Sequence, residues 1–229
     1  MSLPSSGPPS AASSGTWAAG ALSQASNGIT AVHVLARRGN LSALQHLHEH
    51  HAELLSARSP EGLTPFLSAC ASGQTRVAAW LATTGHARVD ENESNIGATG
   101  FHLAAVRNQA QTLKWLLETR PDLVDIKTND QATPLRIAAE AGFISIVEML
   151  LRYNANPTLA DDHNVTPAHV AHVYGHHDVY DLLARAALAR IVQSDDAGEE
   201  GKGWRWGDSE AVLRGESTAV EEKKGGGEK

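Results

Sequence analysis

The chain has 229 residues, enough for one large or two small domains, and 41% of them are hydrophobic while only 5% are aromatic. Alanine and aliphatic side chains must therefore fill the interior, which favours closely packed helices over a β-sandwich. The net charge of −7 provides no attraction to nucleic acid or to anionic membranes, and the single Cys70 excludes an internal disulfide and a multi-cysteine zinc site.

Residues 1–27 contain no charged side chain and are rich in Ser, Ala, Gly and Pro, so we expect most of this segment to be disordered. Within it, a short helix carrying Trp17 and Leu22 is expected to cover the end of the following structure. The segment lacks the positive start and apolar run of a signal peptide. We therefore expect a cytoplasmic protein, with the nucleus as a second location.

A block of similar sequence then recurs five times, beginning at residues 28, 62, 97, 131 and 164. The fourth copy reads QATPLRIAAEAG and the fifth reads NVTPAHVAHVYG. The equivalent threonines are spaced by 34, 35, 34 and 33 residues: Thr30, Thr64, Thr99, Thr133 and Thr166. We interpret this spacing as the period of five structural units.

Each copy predicts a pair of helices. Threonine is a good helix N-cap, and proline suits the first helical position, where its missing N–H costs nothing. A glycine ends the first helix in four copies, at Gly39, Gly73, Gly142 and Gly175. An apolar stripe then predicts a second helix, most clearly at Ile146, Val147, Leu150 and Leu151. Since such a pair cannot bury its apolar face alone, the copies must stack on one another.

The segments TPLRIAAEAGFISIVEMLL, ATGFHLAAVRN and VTPAHVAHVYGH resemble the ankyrin repeat, with its Thr-Pro-Leu-His-x-Ala-Ala-x-x-Gly pattern. The resemblance implies an all-α solenoid of antiparallel helix pairs joined by β-hairpin-like fingers, with a concave face formed by fingertips and first helices. It covers about residues 28–191. The expected domains are thus a disordered segment at 1–27, an ankyrin-repeat domain at 28–192 and a disordered charged tail at 193–229.

Several positions depart from the family pattern. Gly100 follows Thr99 where the family has proline, and Gln131 and Asn164 replace the glycine two residues before the threonine. Arg136 stands in place of the family's histidine, which predicts either a lost hydrogen bond or a charge placed for binding. Two longer connections, HAELLSARSPEG and RPDLVDIKTNDQ, are expected to replace the compact finger.

Three groups of histidines are candidates for metal binding or catalysis. His46, His48, His50 and His51 lie on the predicted second helix of the first unit, where His46 and His50 could share a metal ion. We interpret this cluster as a solvated helix face, because no carboxylate or cysteine has a supporting spacing. His172, His176 and His177 receive the same interpretation. The resemblance assigns structural roles at the helix start to His33, His102 and His169.

Neither Cys70 nor the tail suggests a catalytic or cofactor site. Cys70 occupies an alanine position of a first helix, which favours a buried small side chain over a nucleophile. The tail segment GKGWRWG fits neither phosphate-binding glycine motif. Its Trp204 and Trp206 are unusual in a polar segment, and either fold back on the last repeat or dock on a partner.

These features predict a non-enzymatic, monomeric protein–protein interaction module, an adaptor or scaffold, with no cofactor or bound metal and no nucleic-acid or membrane partner. The alternatives are an assembly chaperone for a multi-subunit complex, a metal-dependent enzyme using His46 to His51, and a membrane-skeleton linker, which the small size and the acidic tail disfavour. Contact residues just after the small pair of each first helix are expected to be Arg37, Arg38, Ser72, Arg107, Glu140 and Tyr174. The expected fingertip contacts are Glu61, Asn95, Asp130 and His163.

Overall fold

A computed structural model describes residues 31–196. The predictions for the N-terminal segment, Thr30 and the tail tryptophans lie outside these residues. The described part of the chain forms ten α-helices in five consecutive pairs, which confirms the predicted all-α fold. The pairs are α1 Ala31–Arg38 with α2 Leu41–His51, α3 Pro65–Ala71 with α4 Thr75–Thr83, α5 Gly100–Val106 with α6 Ala110–Thr119, α7 Pro134–Glu140 with α8 Ile144–Arg152, and α9 Pro167–Val173 with α10 His177–Asp196.

The helices group into two compact units that divide between Trp115 and Leu116, inside α6. Unit 1 contains α1 to α5 and the beginning of α6, and unit 2 contains the end of α6 and α7 to α10. The last helix continues four residues past the predicted end of the repeat domain. No helix among residues 31–196 combines the length and the hydrophobicity that are needed to cross a bilayer.

Threonine caps the first helix of each described copy that begins with Thr-Pro. Its hydroxyl accepts a hydrogen bond from the backbone N–H three residues later, which satisfies one of the unpaired donors of the first turn. The donor–acceptor distances are 3.2 Å for Thr64, 3.2 Å for Thr133 and 3.3 Å for Thr166. The proline that follows occupies the first helical position in all three helices.

Gly100 replaces that proline for a steric reason. A Cβ atom at this position would lie 3.0 Å from Sγ of Cys70 and 3.4 Å from Cε1 of Phe66, both in α3. Phe66, Cys70 and Phe101 are fully buried, so α5 begins directly against the core of unit 1. The departure from the family pattern therefore allows a close approach between neighbouring first helices.

A five-residue turn precedes three of the first helices. In each turn the N–H of the first residue donates to the carbonyl oxygen of the fifth, and the N–H of the fourth donates back to the carbonyl oxygen of the first. A side-chain oxygen of the first residue also accepts from the N–H of the fifth, at 3.2 Å for Ser59, 3.1 Å for Thr128 and 3.0 Å for Asp161. These turns are the predicted fingers.

The fourth residue of each turn has a positive φ: 82° at Gly62, 58° at Gln131 and 59° at Asn164. Gln131 and Asn164 therefore adopt the backbone conformation of the glycine that they replace. The expectation that two longer connections replace the compact turn is wrong. Their additional residues form short 3-10 helices, Ala52–Ser56 and Pro121–Leu123, and the turn follows each of them.

A buried carboxylate holds the turn before α5, which is one residue longer. Glu93 is only 7% exposed, its N–H donates to the carbonyl oxygen of Ala98 at 3.0 Å, and its carboxylate accepts from the N–H groups of Asn95 and Ile96. Neighbouring turns of unit 1 also contact each other, since Ser94 N–H donates to the carbonyl oxygen of Glu61 at 3.3 Å.

Because of this contact, we expect Gly62→Ala to be more destabilising than Gly85→Ala. Both glycines have a positive φ, 82° and 79°, which costs about 1–2 kcal/mol for alanine. A Cβ at Gly62 would also lie 2.4 Å from the backbone nitrogen of Ser94, whereas a Cβ at Gly85 meets nothing within 4 Å. In urea denaturation, Gly62→Ala should lose at least about 1 kcal/mol more free energy of unfolding than Gly85→Ala. Equal losses would contradict the proposed packing between turns.

Candidate functional site

A groove of about 240 Å³ lies in unit 1, across the C-terminal ends of its first helices. Its walls come from α1, α3, α5 and the turn that precedes α3. The residues that line it are His33, Arg37, Ser59, Leu63, Ser68, Ala71, Ser72, Leu103 and Arg107. Three of the predicted contact residues, Arg37, Ser72 and Arg107, therefore share one cavity.

The two arginines give the groove its charge. Arg37 lies in the last turn of α1 and Arg107 is the C-cap of α5, and both side chains are exposed. Among residues 31–196, neither guanidinium group forms an ion pair or a hydrogen bond with a carboxylate. Cations at helix C-termini also interact favourably with the helix dipole, so the fold tolerates both charges without a partner.

His33 and Gln74 hold α1, one wall of the groove, in place. Nε2–H of His33, which is 1% exposed, donates to the carbonyl oxygen of Leu63 at 2.8 Å and so ties α1 to the next turn. Burial lowers the pKa of His33, and this effect outweighs the hydrogen bond to the Leu63 carbonyl and the charge of Glu61, which raise the pKa. The pKa stays below its ordinary value, so the ring is neutral at pH 7. Nε2 of Gln74 donates to the carbonyl oxygen of Arg37 at 3.1 Å, which holds the end of α1.

The structural role predicted for the histidines at the helix start is confirmed for His102. Nδ1 of His102 accepts from the N–H of Thr99 at 3.1 Å and lies 2.9 Å from its hydroxyl oxygen, so His102 caps the start of α5. The His33 ring ties α1 to the turn that precedes α3, and the start of its own helix at Thr30 lies outside the described residues. The prediction is wrong for His169, which is exposed and whose ring makes no hydrogen bond within the described range.

The remaining predicted contact residues lie outside the groove. Arg38, Glu61 and Asn95 are exposed in unit 1; Glu61 accepts a hydrogen bond from the Ser59 hydroxyl at 2.8 Å, which contributes most to lowering its pKa. In unit 2, Asp130, His163 and Tyr174 are exposed, and Glu140 is half-buried. The role of these residues in binding stays a prediction.

Arg136 fits neither of the two alternatives proposed from its sequence position. Its Nε lies 2.9 Å from Oδ2 of Asp161, the first residue of the next turn, and its Nη1 lies 3.1 Å from Oε2 of Glu140. The side chains of Arg136 and Asp161 are 22% and 7% exposed. Arg136 therefore joins α7 to the following turn, as His33 joins α1 to its following turn.

The structure corrects the interpretation of the histidine cluster and confirms that of Cys70. Glu49 does support the histidine pair, contrary to the sequence interpretation: one ligand atom each from His46, Glu49 and His50 lies within 4.8 Å of the others. Cys70 is fully buried, as predicted. Burial, with Glu91 nearby, raises the pKa of its thiol far above the ordinary value, so the reactive thiolate is not populated.

Sequence reasoning missed the turn residues that build the groove. Ser59 lies five residues before the capping Thr64, and Thr128 and Asp161 lie five residues before Thr133 and Thr166. A short side chain with an oxygen at this position is typical of a residue that caps its own turn. The same spacing would have located Ser59 and Leu63 beside the first helices, and it would have identified Asp161 as a partner for Arg136.

Comparison with known proteins identifies one family profile and similarities that cover parts of the chain. Residues 101–195 match the sequence profile of a family described as ankyrin repeats, in three copies. The chain is 27% identical over 154 residues to synphilin-1 of Mus musculus, which is 66% of this chain and 16% of that protein. It is 26% identical over 138 residues to the target of rapamycin complex 2 subunit AVO2 of Saccharomyces cerevisiae, which is 60% of this chain and 32% of that protein.

A third similarity is to a transient receptor potential cation channel subfamily A member 1 homolog of Caenorhabditis elegans, at 29% identity over 173 residues. The match covers 76% of this chain and 14% of that protein. The chain therefore spans at most about a third of the length of these three relatives.

The Arg136–Asp161 contact predicts an acid-dependent loss of stability. Burial alone would raise the pKa of Asp161, but the N–H groups of Val165 and His163 and the Arg136 guanidinium together lower it. The resulting stabilisation is complete above the ordinary pKa of about 3.9 and is lost as pH falls through the lower folded value. We expect Asp161→Asn to lose about 1–3 kcal/mol of unfolding free energy at pH 7, and the loss to shrink below about pH 4.

Urea denaturation at a series of pH values measures this effect, with Asp162→Asn as the control, because Asp162 is an exposed neighbour in the same turn. The control should unfold like the wild type at every pH. A loss for Asp161→Asn that is the same at pH 7 and at pH 3.5 would show that the ion pair does not stabilise the fold.

Proposed function

Because this chain is an ankyrin-repeat protein whose repeats form a protein–protein interaction module, we propose that it acts as an adaptor or scaffold that captures an acidic segment of a partner protein in the groove of unit 1. The observation that carries the proposal is the pair of exposed arginines, Arg37 and Arg107, that line one groove and have no carboxylate partner among residues 31–196.

The chemistry of the groove favours a peptide over a small molecule. Its volume of about 240 Å³ is below the roughly 300–1,000 Å³ of sites that enclose drug-sized ligands. Leu63, Ala71 and Leu103 are half-buried and offer apolar contact to one or two partner side chains. Arginine can hold a carboxylate with two parallel hydrogen bonds, so Arg37 and Arg107 would fix acidic residues on either side of that contact.

A non-enzymatic role is part of the proposal. Three observations support it: the Cys70 thiol is buried and its pKa is raised, His33 is tied to a backbone carbonyl, and His46, Glu49 and His50 are all exposed on a helix surface. Catalysis by a metal ion depends on a shaped cavity that excludes water. We therefore propose recognition, and not hydrolysis, as the activity.

A selection from a library of random decapeptides tests this groove. We expect the peptides retained by the full chain to be enriched in Asp and Glu, and their binding to weaken as the salt concentration rises. The double variant Arg37→Ala/Arg107→Ala should bind the selected peptides at least about tenfold more weakly, since each lost charge contact contributes about 1 kcal/mol or more. Fluorescence anisotropy with labelled peptides measures the change.

The matched control is Arg76→Ala, which removes an exposed arginine from α4, outside the groove. It leaves the groove intact and should keep the wild-type affinity for the selected peptides. Peptides without acidic enrichment, or equal affinity of the double variant and the wild type, would contradict the proposal.

An adaptor and an assembly chaperone both need a second contact, which we propose lies in the tail with Trp204 and Trp206. A shortened chain that ends at Asp196 keeps the groove and lacks the tail, so it distinguishes the contribution of each to binding. We expect this shorter chain to bind the selected acidic peptides like the full chain, but to recover fewer partner proteins from a native lysate. Equal recovery of partner proteins by the two chains would exclude the tail as a docking site.

A further inference from the structure

Three metal-ligating side chains lie together on α2. His46, Glu49 and His50 occupy positions i, i+3 and i+4, which are neighbours on the surface of a helix. The ring centroids of His46 and His50 are 4.7 Å apart, and Nδ1 of His46 lies 4.0 Å from Oε2 of Glu49. One ligand atom from each of the three side chains lies within 4.8 Å of the others.

We propose that His46, Glu49 and His50 form a binding site for a divalent transition-metal ion of the Zn²⁺ class, with water in the fourth coordination position. Two imidazoles and one carboxylate are a known ligand combination for Zn²⁺. Imidazole nitrogens favour Zn²⁺, Ni²⁺ and Cu²⁺, whereas Mg²⁺ and Ca²⁺ require sets of oxygen ligands. The ligand chemistry therefore selects the class of ion.

The site can reach metal geometry without a change of the backbone. Tetrahedral Zn²⁺ with bonds of about 2.0–2.1 Å brings its ligand atoms to about 3.3 Å from one another, so separations of up to 4.8 Å must shorten. The side chains of His46 and Glu49 are 56% and 68% exposed, so rotation about their side-chain bonds meets little packing resistance.

The helix that carries the three ligands is held in place at its buried face and at its N-terminus. Leu44 and Leu47 are buried and anchor the opposite face of α2 in the core of unit 1. The Asn40 side chain caps the start of the helix by accepting from the N–H of Ala43 at 3.1 Å. A helix that is held in this way keeps the three Cβ atoms in register for one ion, which reduces the entropy lost on binding.

Neighbouring histidines belong to other contacts. Nδ1 of His48 lies 2.7 Å from Nε2 of His86, and the His48 ring meets Trp80 edge to face at 5.8 Å. Nδ1 of His51 lies 3.5 Å from Oε1 of Glu53. Neither ring is part of the proposed site, which also lies on a different helix from those that line the groove and is independent of peptide binding there.

Isothermal titration of the full chain with ZnCl₂ in a buffer that does not bind metal tests the proposal. We expect His46→Gln and His50→Gln each to weaken the tightest Zn²⁺ site by at least about tenfold, as for loss of a metal ligand. Glu49→Gln should weaken it less, since the amide keeps an acceptor oxygen. The control His51→Gln should bind Zn²⁺ like the wild type, and MgCl₂ should not compete.

Thermal unfolding of the same proteins provides a second measurement. Zn²⁺ that binds the folded chain should raise the melting temperature of the wild type and of His51→Gln, and should leave that of His46→Gln/His50→Gln unchanged. The proposal is overturned if this double variant binds Zn²⁺ with the affinity and stoichiometry of the wild type, which would place the ion on other histidines. It is also overturned if the wild type binds no Zn²⁺.

Discussion

The shortness of the helices is the constraint on which the structure depends. The first helices contain only seven or eight residues, and isolated helices shorter than about 12 residues are marginal in water. Helix pairs must therefore bury their apolar faces against other elements of their unit, and small residues such as Ala104 and Ala105 of α5 are fully buried. In unit 1, α3 and α5 approach so closely that a Cβ at Gly100 would make tight contacts with Cys70 and Phe66.

Polar contacts then align two of the first helices, α1 and α7, with the turn of the following repeat. His33 reaches the carbonyl oxygen of Leu63, and Arg136 reaches the carboxylate of Asp161. Different chemistry at equivalent positions thus achieves the same connection. In unit 1 the His33 contact holds α1 against the turn that precedes α3, and Arg37 and Arg107 are exposed at the groove. The proposed recognition would therefore use exposed arginines that form no ion pair among residues 31–196.

Much of this arrangement could be predicted from the sequence because the repeat is read five times. The threonine caps, the two helices of each pair and the buried Cys70 follow from local patterns that agree across copies. The failures concern one contact between distant segments, Arg136 with Asp161, and local side-chain contacts that the repeat pattern does not specify. The turn residues Ser59 and Asp161 were missed because their partners lie in another repeat or in the backbone, and the support that Glu49 gives to the histidine pair was missed because side-chain reach was judged from spacing alone.

The proposed function requires that partners bind in the groove of unit 1 and that acidic side chains hold them there. The most direct measurement is photo-cross-linking from a benzophenone amino acid at Ser72, inside the groove, compared with one at Gln111, exposed on the second helix of the third pair. Mass spectrometry should locate cross-links from Ser72 in Asp- and Glu-rich segments of the bound protein, with few from Gln111. Equal cross-linking from both positions, or cross-links from Ser72 to segments without acidic residues, would contradict the claim.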